Sequence, residues 1–251
     1  MEYIKLEYSG AVATLTINRP KALNALNSAV LSELSAAIDE VSASSARCLI
    51  VRGEGTKAFV AGADIAEMSN MTSEQALEFG RLGTAVFKKL ERMAIPTIAA
   101  VCGYALGGGC ELAMACDIRL VSDTAAFAQP ETGLGIIPGF GGTQRLPLLV
   151  GVSRAKEILF TGRRVKAEEA LSIGLCSGVY TVDELFPAAQ AMAEKIASFP
   201  PNAMRSTKLA ANQAFAANVD AGISAENRIF AACFDGEEQK QCMDAFLNKK
   251  K

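Results

Sequence analysis

The sequence predicts an α/β domain over residues 1–181, followed by a helical region over residues 182–251. Short apolar segments rich in β-branched residues alternate with segments whose apolar residues recur at helical spacing, which is typical of α/β domains. From about residue 182 only helical patterns remain, and no Gly-, Ser- or Pro-rich linker separates the two parts. We therefore expect the C-terminal helices to pack on the core or on a partner subunit.

The first predicted unit consists of a strand, a helix and a second strand. Residues 11–17 and 47–52 are short, apolar and rich in β-branched residues, so both are predicted strands. Between them, residues 28–43 carry apolar side chains at helical spacing, with Ser28 as the predicted N-cap. The same alternation continues downstream, and the remaining predicted elements are helix 73–93, strand 97–102, helix 108–115, strand 117–121, and helices 182–198, 201–218, 220–234 and 237–248.

Composition excludes several classes of function. Lys and Arg total 25 against 27 for Asp and Glu, so the net charge of -2 provides no basic field for nucleic acid. The strongest apolar run, residues 95–106, is too short for a membrane span and contains Pro96 and Gly103. The N-terminus lacks the basic and apolar regions of a secretory signal. We expect a soluble, cytoplasmic protein that binds neither nucleic acid nor membrane.

The chain contains seven cysteines and no histidine. The cysteines form no CxxC pair, and their odd number argues against a disulfide framework. The absence of histidine excludes Ser-His-Asp triads, Cys-His pairs, HExxH zinc sites and any imidazole base. Acid–base chemistry must therefore come from carboxylate, Lys, Tyr or Cys side chains, and we predict no metal site.

The first candidate site is a glycine-rich turn, GYALGGGCE at residues 103–111, which connects a strand to a helix. Glycines let a ligand approach the backbone, and the N–H groups at the helix start favour a carbonyl oxygen that gains negative charge. Glu111 lies in the first turns of this helix, near such a carbonyl. The alternative is that the glycines only permit tight packing and that Glu111 is a surface residue facing the helix dipole.

The second candidate is the segment FAQPETGLGIIPGFGGTQR at residues 127–145, which contains two prolines and five glycines. We predict a long ordered loop, and such loops in α/β domains are often functional. Glu131 is the only acid in the segment, and its apolar neighbours are expected to raise its pKa so that it can give up a proton. The alternative is an exposed turn glutamate.

A third, weaker candidate is FVAGADI at residues 59–65, where a backbone N–H could face the same ligand from another side. The preceding residues 53–58, GEGTKA, fit the G-x-G-x-x-A pattern of dinucleotide-binding proteins. That pattern should open directly into a helix, and the residues after it do not predict one. We therefore set a redox function aside.

These segments resemble the enoyl-CoA hydratase (crotonase) family. The matching motifs are NRPKALNAL at residues 18–26, AGADI at 61–65, ALGGGCE at 105–111, and QPE at 129–131 continuing to PGFGGTQR at 138–145. The resemblance implies a spiral core of repeated ββα units and a C-terminal helical region that mediates trimers, commonly paired into hexamers. It also implies coenzyme A thioester substrates, with coenzyme A as part of the substrate and no separate cofactor.

The resemblance also assigns roles to individual residues. It implies that the N–H groups of Ala63 and Gly108 hold the thioester oxygen and that the N–H of Gly139 helps to fix a water molecule. Glu111 is assigned to water activation, and Glu131 to proton delivery at the α-carbon. The coenzyme A moiety is expected to contact the segments that carry Ala22, Leu23, Ala63, Asp64, Ile65 and Ala66.

Both glutamates of the hydratase subgroup are present, which favours hydration of a short-chain trans-2-enoyl-CoA to the 3-hydroxyacyl-CoA. The alternatives are an enoyl-CoA isomerase, which usually keeps one carboxylate, and a non-catalytic acyl-CoA-binding or RNA-binding relative. Phe140, Met68 and Phe79 are candidates for closing the acyl tunnel or for the core. Relatives often continue into a basic and aromatic tail that touches coenzyme A; here the terminal lysines, residues 249–251, are predicted to be a frayed end.

Overall fold

The computed structural model describes residues 1–213 and 216–248, and in these residues ten strands form two sheets. The strands are Ile4–Ser9 (β1), Val12–Ile17 (β2), Cys48–Gly53 (β3), Ala58–Val60 (β4), Thr97–Val101 (β5), Tyr104–Leu106 (β6), Ile118–Ser122 (β7), Ala126–Ala128 (β8), Val165–Lys166 (β9) and Gly178–Tyr180 (β10).

The α-helices of the described residues cover the sheets and form the C-terminal region. They are Ser28–Ala43 (α1), Ile65–Met68 (α2), Ser73–Glu91 (α3), Gly108–Ala115 (α4), Gly142–Val150 (α5), Val152–Thr161 (α6), Ala167–Ser172 (α7), Val182–Ala197 (α8), Pro201–Gln213 (α9), Ala216–Ala232 (α10) and Glu238–Asn248 (α11). Short 3₁₀ turns lie at Pro20–Ala22, Glu131–Leu134 and Cys233–Asp235.

The large sheet has the order β1-β2-β3-β5-β7-β10, and the small sheet the order β4-β6-β8-β9. In the large sheet only the β1–β2 pair is antiparallel; the other pairs are parallel. Parallel strands covered by helices on both faces have apolar residues throughout, and every residue of β2 and β5 is buried. This explains why these strands are continuous apolar runs in the sequence.

Successive strand pairs alternate between the two sheets and generate the spiral. In the pairs β3/β4, β5/β6 and β7/β8, the first strand joins the large sheet and the second joins the small one. A sharp corner separates β5 from β6 at Gly103, whose φ is 68° and whose Cβ, if present, would lie 2.2 Å from the Lys57 carbonyl oxygen. Only glycine fits this corner. The expected spiral of ββα units is confirmed.

Several local predictions need correction. The N-cap of α1 is Asn27, not Ser28, and its side chain accepts a hydrogen bond from the N–H of Val30. Residues 127–145 are not one loop, because they contain the end of β8, a 3₁₀ turn and the start of α5. The predicted helix break at Val219 is wrong, since Ala216–Ala232 forms one helix.

The helices after residue 182 pack on their own chain. Leu185, Ala189 and Ala193 of α8 cover one face of the large sheet, where they contact Ile50 and Ile98. Helix α10 packs against α3 and α5, and α11 packs against α2 and the turn Glu131–Leu134. The predicted frayed lysines, residues 249–251, lie outside the described residues. Among the described helices, none has the length and apolarity to cross a membrane.

Candidate active site

Glu111 is a buried carboxylate near the start of α4. The chain leaves β6, turns at Gly107 with φ 49°, and begins the helix at Gly108, so that Glu111 lies in its first turn. The side chain is 1% exposed, which excludes the surface position considered from the sequence. Its Oε1 accepts hydrogen bonds from the N–H groups of Phe140 at 2.8 Å and Gly142 at 2.7 Å.

Glu131 faces the same space from the small-sheet side. It begins the 3₁₀ turn after β8 and is 8% exposed, so it is not an exposed turn residue. A Cβ on Gly107 would lie 2.5 Å from Glu131 Oε1, which places this carboxyl directly against the glycine turn. With its amide nitrogen turned toward the acid, Gln129 donates to both carboxyl oxygens at 3.2 and 3.1 Å.

Burial and mutual repulsion change the acidity of the pair. Burial raises the pKa of Glu111 well above its ordinary value, the charges of Glu131 and Glu226 raise it further, and the N–H groups of Gly142 and Phe140 lower it. Burial is also the main cause of the raised pKa of Glu131, to which Glu226 contributes. Near neutral pH the pair therefore tends to retain a proton, as an acid–base pair requires.

Both glutamates line one small cavity of about 50 Å³. The predicted residues Ala63, Gly108 and Gly139 line it as well. Most of its remaining wall is apolar and includes Ala61, Ile65, Met68, Pro130, Leu134, Ile136, Ile137, Phe140 and Phe230. The cavity is thus a narrow apolar chamber with two carboxyls, the form expected of a site for a small apolar group.

The N–H groups of Ala63 and Gly108 lie close together at the cavity wall. A Cβ on Gly108 would be 3.5 Å from the Ala63 nitrogen. Gly108 begins α4, where helix geometry leaves N–H groups unpaired, and within residues 1–213 and 216–248 neither N–H donates to a backbone carbonyl. The neighbouring bridge to Leu26 uses Gly62 and Asp64 instead. Two such N–H groups can stabilise an oxygen that gains negative charge.

A second cleft, of about 240 Å³, adjoins the cavity. Ala61, Ala63 and Ile65 line both spaces, so a long ligand could extend from one into the other. The predicted coenzyme A contacts Ala22, Leu23, Ala63, Asp64, Ile65 and Ala66 all line this cleft, together with Lys21, Ala25, Phe246 and Leu247. Phe246 thus reaches the cleft from α11, whereas the terminal lysines lie outside the described residues.

The overlapping dinucleotide pattern does not form a dinucleotide site. Gly53 ends β3, and the pattern's last residue, Ala58, begins β4 rather than a helix. Without a helix N-terminus after the glycines, no set of helix N–H groups faces a pyrophosphate. The pattern therefore does not support a redox function.

Sequence analysis missed three residues around the cavity: Gln129, Glu226 and Phe230. Gln129 belongs to the motif QPE at residues 129–131, but its contact with Glu131 depends on the turn between them. Glu226 and Phe230 come from α10, where they share the buried face with Ile223 and Asn227. The sequence did contain one signal for this part of the site: two polar residues, Glu226 and Asn227, lie on the otherwise apolar face of this helix.

Comparison with known proteins identifies the class. The chain matches the family described as enoyl-CoA hydratase/isomerase over residues 7–251, and it belongs to that family.

Individual relatives extend over nearly the whole chain. It is 50% identical to the short-chain-enoyl-CoA hydratase of Clostridium acetobutylicum, over 98% of this chain and 95% of the relative. It is 49% identical to the crotonyl-CoA hydratase of Syntrophomonas wolfei, over 100% and 96%. The crystal structure of enoyl-CoA hydratase from Bacillus anthracis superimposes with a TM-score of 0.83 at 38% identity, over 98% and 96%.

Proposed function

We propose that this protein hydrates short-chain trans-2-enoyl-CoA thioesters reversibly to 3-hydroxyacyl-CoA. The observation that carries the proposal is the pair of buried glutamates, Glu111 and Glu131, in one cavity beside two adjacent backbone N–H groups. The names of the two relatives at about half identity support the same reaction and the short acyl chain. Coenzyme A would occupy the adjoining cleft as part of the substrate.

In the proposed reaction, the thioester oxygen lies between the N–H groups of Ala63 and Gly108. Glu111 takes a proton from water, the hydroxyl oxygen bonds to the β-carbon, and the π electrons move to the thioester oxygen as an enolate. Glu131 then gives its proton to the α-carbon, and the carbonyl re-forms. The pair holds one proton before and after turnover, and return of that proton from Glu111 to Glu131 completes the cycle.

Each carboxyl has a structural reason for its role. Glu111 is held by two N–H donors, which favour its charged form and leave its second oxygen, Oε2, available to a water molecule. The N–H of Gly139 is proposed to help hold that water. Within the described part of the chain, no such pair of backbone donors holds Glu131, and burial favours its protonated form.

The test is turnover of crotonyl-CoA. We expect the absorbance of the conjugated thioester to fall and oxygen from H₂¹⁸O to appear in 3-hydroxybutyryl-CoA. Conversion of 3-butenoyl-CoA to crotonyl-CoA without incorporation of ¹⁸O would instead identify an isomerase. Tight binding of crotonyl-CoA with its double bond unchanged would identify a non-catalytic binding protein. Either result would overturn the proposal.

Phe230 is expected to limit the length of the acyl chain. It lines the cavity from α10, and a Cβ on Gly139 would lie only 2.9 Å from its ring. Phe230→Leu removes part of this wall, so kcat/KM for 2-octenoyl-CoA relative to crotonyl-CoA should rise about tenfold. A chain-length series from four to ten carbons measures the shift.

The matched control for this prediction is Phe234→Leu. The ring of Phe234 is buried and lies 5.3 Å from that of Phe230, but Phe234 does not line the cavity. We expect its chain-length profile to equal that of the unmodified protein. An equal shift in both variants would mean that loss of packing, rather than the cavity wall, changes the preference.

Assembly and location stay predictions. We propose a homotrimer or a dimer of trimers; in support, Leu148, Val152 and Phe160 of α5 and α6 are 48%, 59% and 73% exposed in the single chain. Light scattering coupled to gel filtration measures the mass. The cytoplasm is the proposed location.

A further inference from the structure

A third buried carboxylate, Glu226, lies behind the active site. It belongs to α10 and is 2% exposed. It does not line the cavity, and the proposed reaction assigns it no proton. A buried charge is costly unless it is paired or hydrogen-bonded, so its partners indicate its purpose.

Its partners are the same short segment that holds Glu111. Of four successive backbone N–H groups, those of Phe140 and Gly142 donate to Glu111, while those of Gly141 and Thr143 donate to Glu226. The Thr143 hydroxyl also donates to Glu226. Two carboxylates from distant parts of the chain thus hold alternate N–H groups of one stretch of backbone.

Neighbouring side chains complete the support of this stretch. Arg145 Nη1 donates to the Phe140 carbonyl at 2.8 Å, and its guanidinium pairs with Glu91 at 3.2 Å. Asn227 Nδ2 donates to the Gly139 carbonyl at 2.9 Å. Side chains of α5 and α10 therefore hold residues 139–143, and Glu91 of α3 holds Arg145. The N–H groups of Phe140 and Gly142 are thereby directed at Glu111.

The charge of Glu226 also acts on the pair directly. Together with burial, it raises the pKa of both Glu111 and Glu131. Glu226 itself has a raised pKa because of burial, which its hydrogen bonds to Thr143 and Gly141 and the charge of Arg145 counteract. Glu91 faces the other side of that guanidinium.

We propose that Glu226 is a positioning residue for hydration: it orients the N–H groups of Phe140 and Gly142 and thereby fixes the carboxylate of Glu111. This inference rests on the proposed hydratase function. Without Glu226, Gly141 and Thr143 would lose their acceptor, and the backbone could rotate away from Glu111. A misplacement of about 1 Å at a reacting group can cost about 10²-fold in rate.

The test is Glu226→Gln, assayed with crotonyl-CoA. Glutamine keeps the volume but removes the charge and presents an amide N–H₂ to one of the backbone donors. We expect kcat to fall about 10–100-fold while KM changes little, because the substrate cleft is untouched. Two effects on the pKa of Glu111 then oppose each other: loss of the neighbouring negative charge lowers it, and loss of the N–H donors of Phe140 and Gly142 raises it. Glu226→Asp retains a carboxylate that can accept from the N–H groups of Gly141 and Thr143, so it should lower kcat less than Glu226→Gln does.

Thr143→Val provides a second variant that removes only the hydroxyl donor to Glu226. It should lower kcat less than Glu226→Gln does, again with little change in KM, and it carries the test if Glu226→Gln does not fold. The matched control is Glu168→Gln, the same change at an exposed position, with kcat as in the unmodified protein.

The outcomes separate this inference from the proposed function. If the unmodified protein does not hydrate crotonyl-CoA, the proposed function fails, whatever the variants do. If it does, an unchanged kcat in Glu226→Gln overturns the positioning role, as does a loss that lies wholly in KM. A loss of kcat in Glu226→Asp as large as that in Glu226→Gln also overturns it, because the retained carboxylate would then restore nothing. Unchanged kcat in Thr143→Val, where Glu226→Gln fails to fold, overturns it equally.

Discussion

Glu111→Gln and Glu131→Gln are each expected to lower kcat for crotonyl-CoA by about 10²–10⁴-fold, the usual contribution of a positioned general acid or base. Glutamine preserves the size of both side chains, and it cannot accept a proton from water or deliver one to carbon. Steady-state rates measured from the thioester absorbance, together with binding of a non-reactive acyl-CoA, separate loss of chemistry from loss of affinity. Binding should persist, since the cleft and the N–H groups of Ala63 and Gly108 are unchanged.

The pH–rate profile is expected to show activity falling at both low and high pH. Both carboxyls have pKa values above the ordinary range of glutamate. As the pH falls through the raised pKa of the base, the base is protonated and activity is lost; as it rises through that of the acid, the acid loses its proton and activity is lost again. Residual activity in each variant should lack one of these limbs. Glu168→Gln is the control, and near-normal rates in either active-site variant would contradict the two-carboxylate mechanism.

Gly107→Ala is expected to lower kcat by about 10²-fold without removing any catalytic group. A Cβ at this position would lie 2.5 Å from Glu131 Oε1, so the carboxyl must move. The backbone φ of 49° with ψ of −121° adds strain for any residue other than glycine. Displacement of Glu131 from its proposed position beside the α-carbon accounts for the loss. The measurement is kcat and KM for crotonyl-CoA, with the melting temperature recorded in parallel.

The chain provides a stringent control in Gly133→Ala. Gly133 lies in the same 3₁₀ turn as Glu131, yet a Cβ there would have no atom within 4 Å, and its φ is not in the left-handed region. The same substitution should therefore leave kcat nearly unchanged. Equal losses at both glycines would indicate general sensitivity of this turn rather than displacement of the carboxyl by Gly107→Ala. Full activity of Gly107→Ala would contradict the placement of Glu131 against that glycine.

Much of the fold could be predicted because the signals are local. The apolar runs of β2, β3, β5 and β7 and the periodicity of α1, α3 and α8 identify these elements to within about two residues, the usual limit for boundaries. The three-residue strands β4, β6, β8 and β10 were missed, since such short segments carry too few residues for a period to be recognised. They are stabilised by pairing across the small sheet and against β7.

Some residues of the candidate site could likewise be predicted from local sequence signals, and others could not. Glu111 and Glu131 stood out because glycine-rich turns surround them and no histidine is present to do acid–base work. Glu226 and Phe230 did not, because nothing near them in the chain indicates a site. Glu226 is 85 residues from Gly141, and only the packing of α10 against α5 brings them together.

By itself, the sequence determined the α/β alternation, the restriction of acid–base chemistry to carboxylates, and the two glutamates on which the proposed reaction depends. These follow from composition and from spacing within a few turns of the chain. The tertiary structure decided the burial that raises the pKa of both acids, the closure of the cavity by Phe230, and the sharing of four N–H groups between Glu111 and Glu226. Each of these depends on the distance and direction between groups far apart in the chain, which are set only when the helices and sheets pack.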